Sequence, residues 1–233
     1  MIDESGAVPQ NRFERRKLRT RAALIGAAQS FIAAGQLSVP ILDITRAADV
    51  GLGSFYNHFG SKDELFSAAV SDVLDHYAAL LDMLTVSIED PAEAFAIRFR
   101  LAGRLFRRRP TESRILLRSG LPLLSSEDGL AARAFRDIVA ACEAGRFTVR
   151  GDPAAALAIA GGALMGLGQL LHDDPNRDDA RTADDVTLDV LRLFGITAEE
   201  AQRLCSTPLP DVGNVLEAPR SATATRATRP GID

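Results

Sequence analysis

The chain has 233 residues, of which 46% are apolar, and its formal net charge is −4. This length and composition are typical of a soluble globular protein with one sizeable core, or with one core and a small appended unit. The first 25 residues contain charged groups but no apolar segment, which disfavours a secretory signal. Cys142 and Cys205 lie far apart and form no metal-ligand motif, so we expect a cytoplasmic protein with reduced thiols.

Charge is unevenly distributed along the chain. Residues 1–62 carry a net charge of +3, residues 63–205 carry −7, and residues 206–233 are neutral overall. Most of the positive charge lies between Arg12 and Arg21, where six basic residues accompany only one acidic residue, Glu14. Such a concentration suits contact with phosphate, although a solvated basic helix end would have the same composition.

Helical periodicity begins within this basic run. An apolar stripe at helical spacing defines a first helix: Leu18, Ala22, Ile25 and Ile32. Gly35 follows at a position where a left-handed C-terminal cap is usual. After Pro40, the stretch ILDITRAA predicts a second, short helix, and residues 49–51 separate it from a third. Two helices this short, joined by a three-residue turn, indicate a helix-turn-helix.

Capping signals mark the helices that follow. Ser61-Lys-Asp-Glu forms a capping box at the start of a long helix, and Asp90-Pro91 opens the next helix, which Pro110 should end. Further helices are expected over residues 112–119, 126–144, 153–172, 180–194 and from Thr197. No segment alternates with period two for long enough to predict a strand. The sequence therefore predicts an all-α fold, with a disordered tail over residues 206–233.

One predicted helix resembles a membrane span in length. Residues 153–171 are uncharged and close to the roughly 20 residues that a bilayer helix needs, but four glycines and the missing interfacial Trp and Tyr favour a buried helix instead. Small residues leave one side of this helix open, and the next helix carries a matching apolar stripe. We expect both helices to form a four-helix homodimer interface through Ala158, Gly162, Gly166, Val186, Val190 and Leu193. Burial of the same face within one subunit is the alternative.

Catalytic and metal-binding motifs are missing from the sequence. His58, His76 and His172 lie in no HExxH or other ligand pair, and neither a Gly-x-Ser-x-Gly elbow nor a glycine-rich phosphate loop occurs. We therefore expect no enzyme activity, no metal and no cofactor.

The stretch GLGSFYNHFGSKDELF, which begins at residue 51, is better suited to nucleic acid. Gly53 and Ser54 would let a short helix approach the floor of the major groove, because small side chains do not hold it away. Tyr56, Asn57 and His58 offer donors for the flanking phosphates, and Lys62 lies in the first turn of the next helix. A packed or capping role remains an equal alternative for His58.

The longer stretch ILDITRAADVGLGSFYNHFGSKDELF resembles the signature of the tetracycline-repressor (TetR) family. The matching residues, in order, are Asp43, Ile44, Ala48, Val50, Gly53, Phe55, Tyr56, His58, Phe59, Ser61, Lys62, Glu64 and Leu65. The resemblance implies an all-helical homodimer, with a three-helix DNA-binding domain and a larger helical domain that binds a small-molecule effector and dimerises. The corresponding division is an N-terminal arm (1–11), a DNA-binding domain (12–60), an effector-binding and dimerisation domain (61–205) and the tail.

By position in the family's motif, three residues would face base edges and four would contact phosphates. The expected base-facing residues are Leu52, Ser54 and Asn57, and the expected phosphate contacts are Thr45, Tyr56, His58 and Lys62. Three positions depart from the family's pattern: Asp49 replaces a turn glycine, Gly51 replaces a Ser/Thr N-cap, and Leu42 replaces a polar or basic contact. The two leucines can make only apolar contacts with DNA.

The effector is not identified by any motif. Phe95, Phe99, Phe106 and Phe135 could line an apolar pocket with Arg98 or Arg104 inside it, which would suit a carboxylate-bearing ligand, although such a stripe is also typical of a core. The resemblance favours a repressor that an effector releases from a palindromic operator. The alternative is a helical dimerisation or protein-interaction module that has lost specific DNA reading.

Overall fold

The computed structural model describes residues 12–120 and 129–210, and within these ranges the chain is helical with no strand. The helices are α1 (Arg12–Ala33), α2 (Ile41–Ala47), α3 (Leu52–Tyr56), α4 (Lys62–Thr85), α5 (Pro91–Arg108), α6 (Pro110–Ser119), α7 (Gly129–Glu143), α8 (Pro153–Asp173), α9 (Asp179–Leu193) and α10 (Ala198–Ser206). The all-α prediction is therefore confirmed. The predicted arm, residues 1–11, and the predicted tail from residue 211 lie outside the described residues.

The first three helices form a helix-turn-helix unit beside the start of α4. Helix α1 ends in a Schellman motif, in which Gly35 has φ +77° and the amide of Gln36 donates to the carbonyl of Phe31. The turn between α2 and α3 contains Asp49 with φ +53°, a left-handed conformation that favours glycine. Gly51 caps α3 without a side-chain hydrogen bond.

The predicted caps of the longer helices are present. The hydroxyl of Ser61 accepts from the amide of Glu64, and the Glu64 carboxylate accepts from the amide of Gly60, so both ends of the motif satisfy free backbone donors. The Asp90 carboxylate accepts from the amide of Ala92. Pro110 follows the end of α5, as predicted, but it is also the first residue of α6. A proline fits the first helical turn, where its missing N–H would have no partner in any case.

Helix α5 occupies the centre of the larger domain and contacts α4, α6, α7, α8, α9 and α10. Buried residues lie on nearly every side of it, as expected of a helix surrounded by others. Gly103 allows this packing, because an added Cβ would lie 2.8 Å from side-chain atoms of both Leu167 and Ala183. Helices α8 and α9 therefore approach α5 closely at the same point.

The C-terminal segment is packed further than the sequence predicts. Helix α10 includes Ser206, and beyond it Leu209 packs against the main hydrophobic core. The guanidinium of Arg100, buried in α5, donates to the carbonyl of Thr207 at 2.7 Å and to the carboxylate of Asp184 in α9 at 2.8 Å. These bonds hold residues 206–210 on the protein, so the tail does not begin at residue 206 as expected.

The apolar helix α8 has a side that no other part of the described chain covers. It is long and apolar enough to cross a membrane, yet only 28% of its most apolar window is buried. Ala158 and Gly166 are exposed, and an added Cβ at Gly162 or Gly166 would meet no atom within 4 Å. On α9, Leu193 is exposed, but Val190 faces the core, which corrects its prediction as an interface residue. Among residues 12–120 and 129–210, none buries this face of α8 within the subunit.

Candidate nucleic-acid interface and effector cavity

Two aromatic rings pack beneath the buried side of the recognition helix α3 and fix its position. Phe55 and Phe59 are fully or almost fully buried, and their ring centroids lie 6.1 Å apart. The ring of Tyr56 meets Phe55 edge-on at 5.1 Å, which fixes the direction of the tyrosine without covering it. Phe55 and Phe59 therefore anchor the helix from the protein side and are not available for contact with DNA.

The outer side of α3 presents the residues that the sequence places at DNA. Leu52 and Tyr56 are 45% and 59% exposed, and Gly53 and Asn57 are exposed as well. An added Cβ at Gly53 would meet no atom within 4 Å, so the backbone there is open to a ligand. Ser54 is half-buried. A short helix with this open side can enter a groove without steric hindrance from its own side chains.

The basic part of α1 lies beside His58 and Phe59, the residues that follow this helix. The guanidinium carbon of Arg21 is 5.1 Å from the centroid of the Phe59 ring, a cation–π contact that fixes one positive charge next to the anchor. Burial, together with the charges of Lys17 and Arg21, lowers the pKa of His58 below its ordinary value. His58 is therefore predominantly neutral at pH 7 and can act as a hydrogen-bond donor without a net charge.

Two of the residues predicted to contact phosphates form hydrogen bonds within the protein. Thr45 is only 1% exposed, and its hydroxyl donates to the carbonyl of Leu42 at 2.9 Å. The expected phosphate contact of Thr45 is therefore wrong for this conformation, because its hydroxyl is buried and points back along α2. Lys62 Nζ donates to the carbonyls of Leu37 and Val39, at 3.0 and 3.4 Å. Lys62 thus ties the start of α4 to the turn between α1 and α2.

A cavity of about 60 Å³ lies between α4, α5, α7 and α8. Its apolar lining includes Phe95 and Phe99, as predicted, together with Ala78, Leu81, Ala102, Leu130, Ala134 and Leu164. Phe106 is not part of the lining, because it packs against Gly168 in a separate cluster between α5, α8 and α9. Phe135 is also outside the lining, on the exposed side of α7 next to Ala134.

Four charged residues line the same cavity and form one network. Arg98 pairs with Asp137 and donates from Nε to the hydroxyl of Thr85 at 2.8 Å, and its third nitrogen lies 3.5 Å from Asp82. Asp82 also pairs with Arg133. Burial raises the pKa of Asp137, and the Arg98 partner opposes this shift. Two guanidinium groups thus balance two carboxylates in the wall of the cavity.

The sequence predicts only Arg98 among these four. Asp82, Arg133 and Asp137 come from two different helices, so no local motif unites them; the spacing of Arg133 and Asp137 by four residues is the one available signal. Arg104, the alternative cation, lies elsewhere and donates to Asp184 at 2.9 Å.

Sequence profiles of one family match both parts of the chain. The profile described as bacterial regulatory proteins, tetR family, matches residues 24–69, and the profile described as tetracyclin repressor-like, C-terminal domain, matches residues 90–207. An HTH-type transcriptional regulator of Bacillus subtilis (strain 168), YxbF, is 29% identical over 94 residues, which are 38% of this chain. The match spans only a quarter (25%) of the length of YxbF.

Two solved structures of RolR resemble most of the chain. The ligand-free structure is 30% identical with a TM-score of 0.68, and the match covers 82% of this chain and 98% of RolR. The complex of RolR with resorcinol is 29% identical with a TM-score of 0.61, and that match covers 85% and 99%. Because the profiles and the solved structures agree, the chain belongs to the TetR family, whose members are DNA-binding transcriptional regulators and not enzymes.

Proposed function

We propose that the protein is a repressor that binds a palindromic operator as a homodimer and leaves it when a small molecule occupies the cavity. Regulators of this family bind DNA and small molecules, act as dimers and are soluble cytoplasmic proteins. The observation that supports DNA reading best is the open side of α3 beside the basic part of α1. We assign residues 12–60 to DNA reading and residues 61–205 to effector binding and dimerisation.

The cavity and the recognition helix share one hydrophobic core, which supports control by an effector. Leu81 and Ala102 line the cavity and belong to the same buried cluster as Phe55 and Phe59. Closely packed interiors transmit displacement, because side chains cannot move independently. An occupant that shifts α4 or α5 would therefore change the position of α3. Two recognition helices must lie about 34 to 36 Å apart to meet successive major grooves, so a changed spacing would release DNA.

The charge balance of the cavity favours a neutral effector with hydroxyl groups. A carboxylate would need an unpaired cation, whereas Arg98 and Arg133 already pair with Asp137 and Asp82. A hydroxyl can donate to a carboxylate and accept from a guanidinium, and Phe95 and Phe99 suit a ring. RolR, a relative, has been crystallised with resorcinol, a ring with two hydroxyl groups. The cavity of about 60 Å³ is smaller than the roughly 150 Å³ that holds benzene elsewhere, so binding must widen it.

The uncovered face of α8 supports dimerisation through α8 and α9. Ala158, Gly162 and Gly166 leave room for close approach of another helix, and Leu193 extends the exposed apolar surface onto α9. An apolar surface of this kind is unfavourable in water unless a partner covers it. A second copy of the chain, related by a two-fold axis, would cover it with the same residues.

Substitution of Gly53 by alanine should separate DNA binding from stability. The added methyl group meets no atom within the protein, so the fold should be unchanged or stabilised by up to about 1 kcal/mol, while the methyl group opposes approach to DNA. Electrophoretic mobility shifts and thermal denaturation measure both effects.

Gly26→Ala in α1 is the matched control, since an added Cβ there also meets no atom within 4 Å. Unchanged DNA affinity in Gly53→Ala would contradict the placement of α3. If the wild-type chain retards no candidate operator at low salt, a dimerisation module that no longer reads DNA becomes the better hypothesis.

Replacement of Lys62 by methionine should reveal whether this residue also contacts phosphate. Loss of its two carbonyl bonds should lower stability by about 1–2 kcal/mol. An ammonium group has a third N–H, so we also expect the slope of log affinity against log salt to fall by about 0.9. Lys17→Met is the control, with a reduced slope and unchanged stability. A stability loss with an unchanged slope would assign Lys62 to positioning alone.

Resorcinol should stabilise the protein and release the operator, whereas benzoate should do neither. Saturation at 100 times Kd would add about 2.7 kcal/mol to the free energy of unfolding. Asp137→Asn leaves the cavity with one net positive charge, so the preference should shift from resorcinol toward benzoate. Phe135→Ala, next to the cavity but outside it, should behave as wild type. Thermal shift and operator release test these expectations; stabilisation without release would contradict control through this cavity.

Leucine at Gly162 or Gly166 should convert the dimer to a monomer. An added Cβ at either glycine would meet no atom of the described chain within 4 Å, and leucine favours a helix more than glycine does, so we expect the variants to fold. Sedimentation velocity should show the monomer, with loss of palindrome binding. Ala79→Leu, on an exposed part of α4, is the control. Folded, dimeric variants with normal operator affinity would place the interface elsewhere.

A further inference from the structure

Leu52 is an exposed apolar side chain at the start of the recognition helix. It lies between Gly51 and Gly53, which have no side chains, and an added Cβ at either glycine would meet no atom within 4 Å. The leucine is 45% exposed even though the next ring along the chain, Phe55, is completely buried. Nothing adjacent in the sequence therefore shields Leu52 or limits how far it can enter a groove.

A leucine side chain can make only apolar contacts, and the major groove offers only one apolar group. Base edges there carry nitrogen and oxygen donors and acceptors, and the C5 methyl group of thymine is the single apolar substituent. The charged surroundings favour DNA as the partner over an apolar protein surface, because Lys17 and Arg21 lie close enough to lower the pKa of His58 in the same unit. The surface is also continuous with the DNA-binding unit that the family profile covers, residues 24–69.

We propose that Leu52 determines operator specificity by packing against a thymine methyl group in each half-site. The inference rests on the proposed DNA-reading function and adds the chemical feature that is read. It is consistent with the combination Gly51-Leu52-Gly53, since two neighbours without side chains leave Leu52 free to come within about 4 Å of a methyl group. Each operator half-site should then contain one position at which thymine is preferred over the other natural bases.

Deoxyuridine substitution tests this proposal directly. The full-length dimer first selects its operator from a random duplex library, and each selected thymine is then replaced by deoxyuridine, which pairs identically but lacks the methyl group. We expect one position in each half-site to show an affinity loss of about fourfold, the equivalent of about 0.8 kcal/mol for one methyl group. Leu52→Ala should bind thymine and deoxyuridine operators equally, and Leu52→Met, which keeps an apolar side chain, should retain most of the discrimination.

Leu42→Ala is the matched control, because Leu42 is 46% exposed but lies on α2. It should leave the deoxyuridine effect at the Leu52 position unchanged. A scan in which no thymine is sensitive, or a Leu52→Ala variant with the wild-type sensitivity, would overturn the proposal. Those results differ from failure of the proposed function, in which the wild-type chain would select no DNA sequence.

Discussion

The DNA-reading unit depends on the burial of Phe55. Helix α3 has five residues, far fewer than the 12 to 15 at which an isolated helix becomes even marginally stable in water. Its conformation must therefore come from tertiary packing, and Phe55, with Phe59 beside it, supplies that packing from the protein side. Because these two large apolar side chains are buried, the residues on the exposed side of α3 are not needed for packing and can be small or polar.

The same core makes the recognition helix dependent on the rest of the protein. The cluster that contains Phe55 extends through α1 and α4 to Ile97 in α5 and Ile115 in α6. One continuous apolar core therefore joins the helix-turn-helix to the larger domain. Polar contacts strengthen this connection: the amide of Gln29 donates to the carbonyl of Ala69 and to the carboxylate of Asp72. A helix-turn-helix built in this way cannot move independently of α4.

The sequence was most informative where structure is determined locally. Caps at Ser61 and Asp90 and the left-handed glycine at Gly35 involve residues within five positions of each other, and all three were predicted correctly. Side-chain direction is harder to predict, because it depends on which neighbours surround a helix. Thr45 was expected at a phosphate from its position in the family's motif, and Val190 at the dimer interface from an apolar stripe, but both face inward.

The residues that line the cavity are also difficult to predict, because they lie far apart in the sequence. Aromatic spacing suggests three phenylalanine positions on α5 and one on α7, yet α8 occupies the side of Phe106, and Phe135 lies outside the cavity lining. The charged wall joins Asp82 of α4 to Arg98 of α5 and to two residues of α7, a combination that only the packing of three helices creates. No pairwise spacing in the sequence contains that information.

The internal charge balance of the cavity has a consequence for how ionic strength affects the two ligands. Contacts with DNA phosphates release counterions, so affinity for the operator falls steeply as salt rises. A neutral effector in a site where two arginines and two aspartates cancel releases no ions, and its affinity should scarcely change. Under the proposed function, the concentration of effector needed to clear the operator would then fall as intracellular salt increases, and derepression would be easier under osmotic stress.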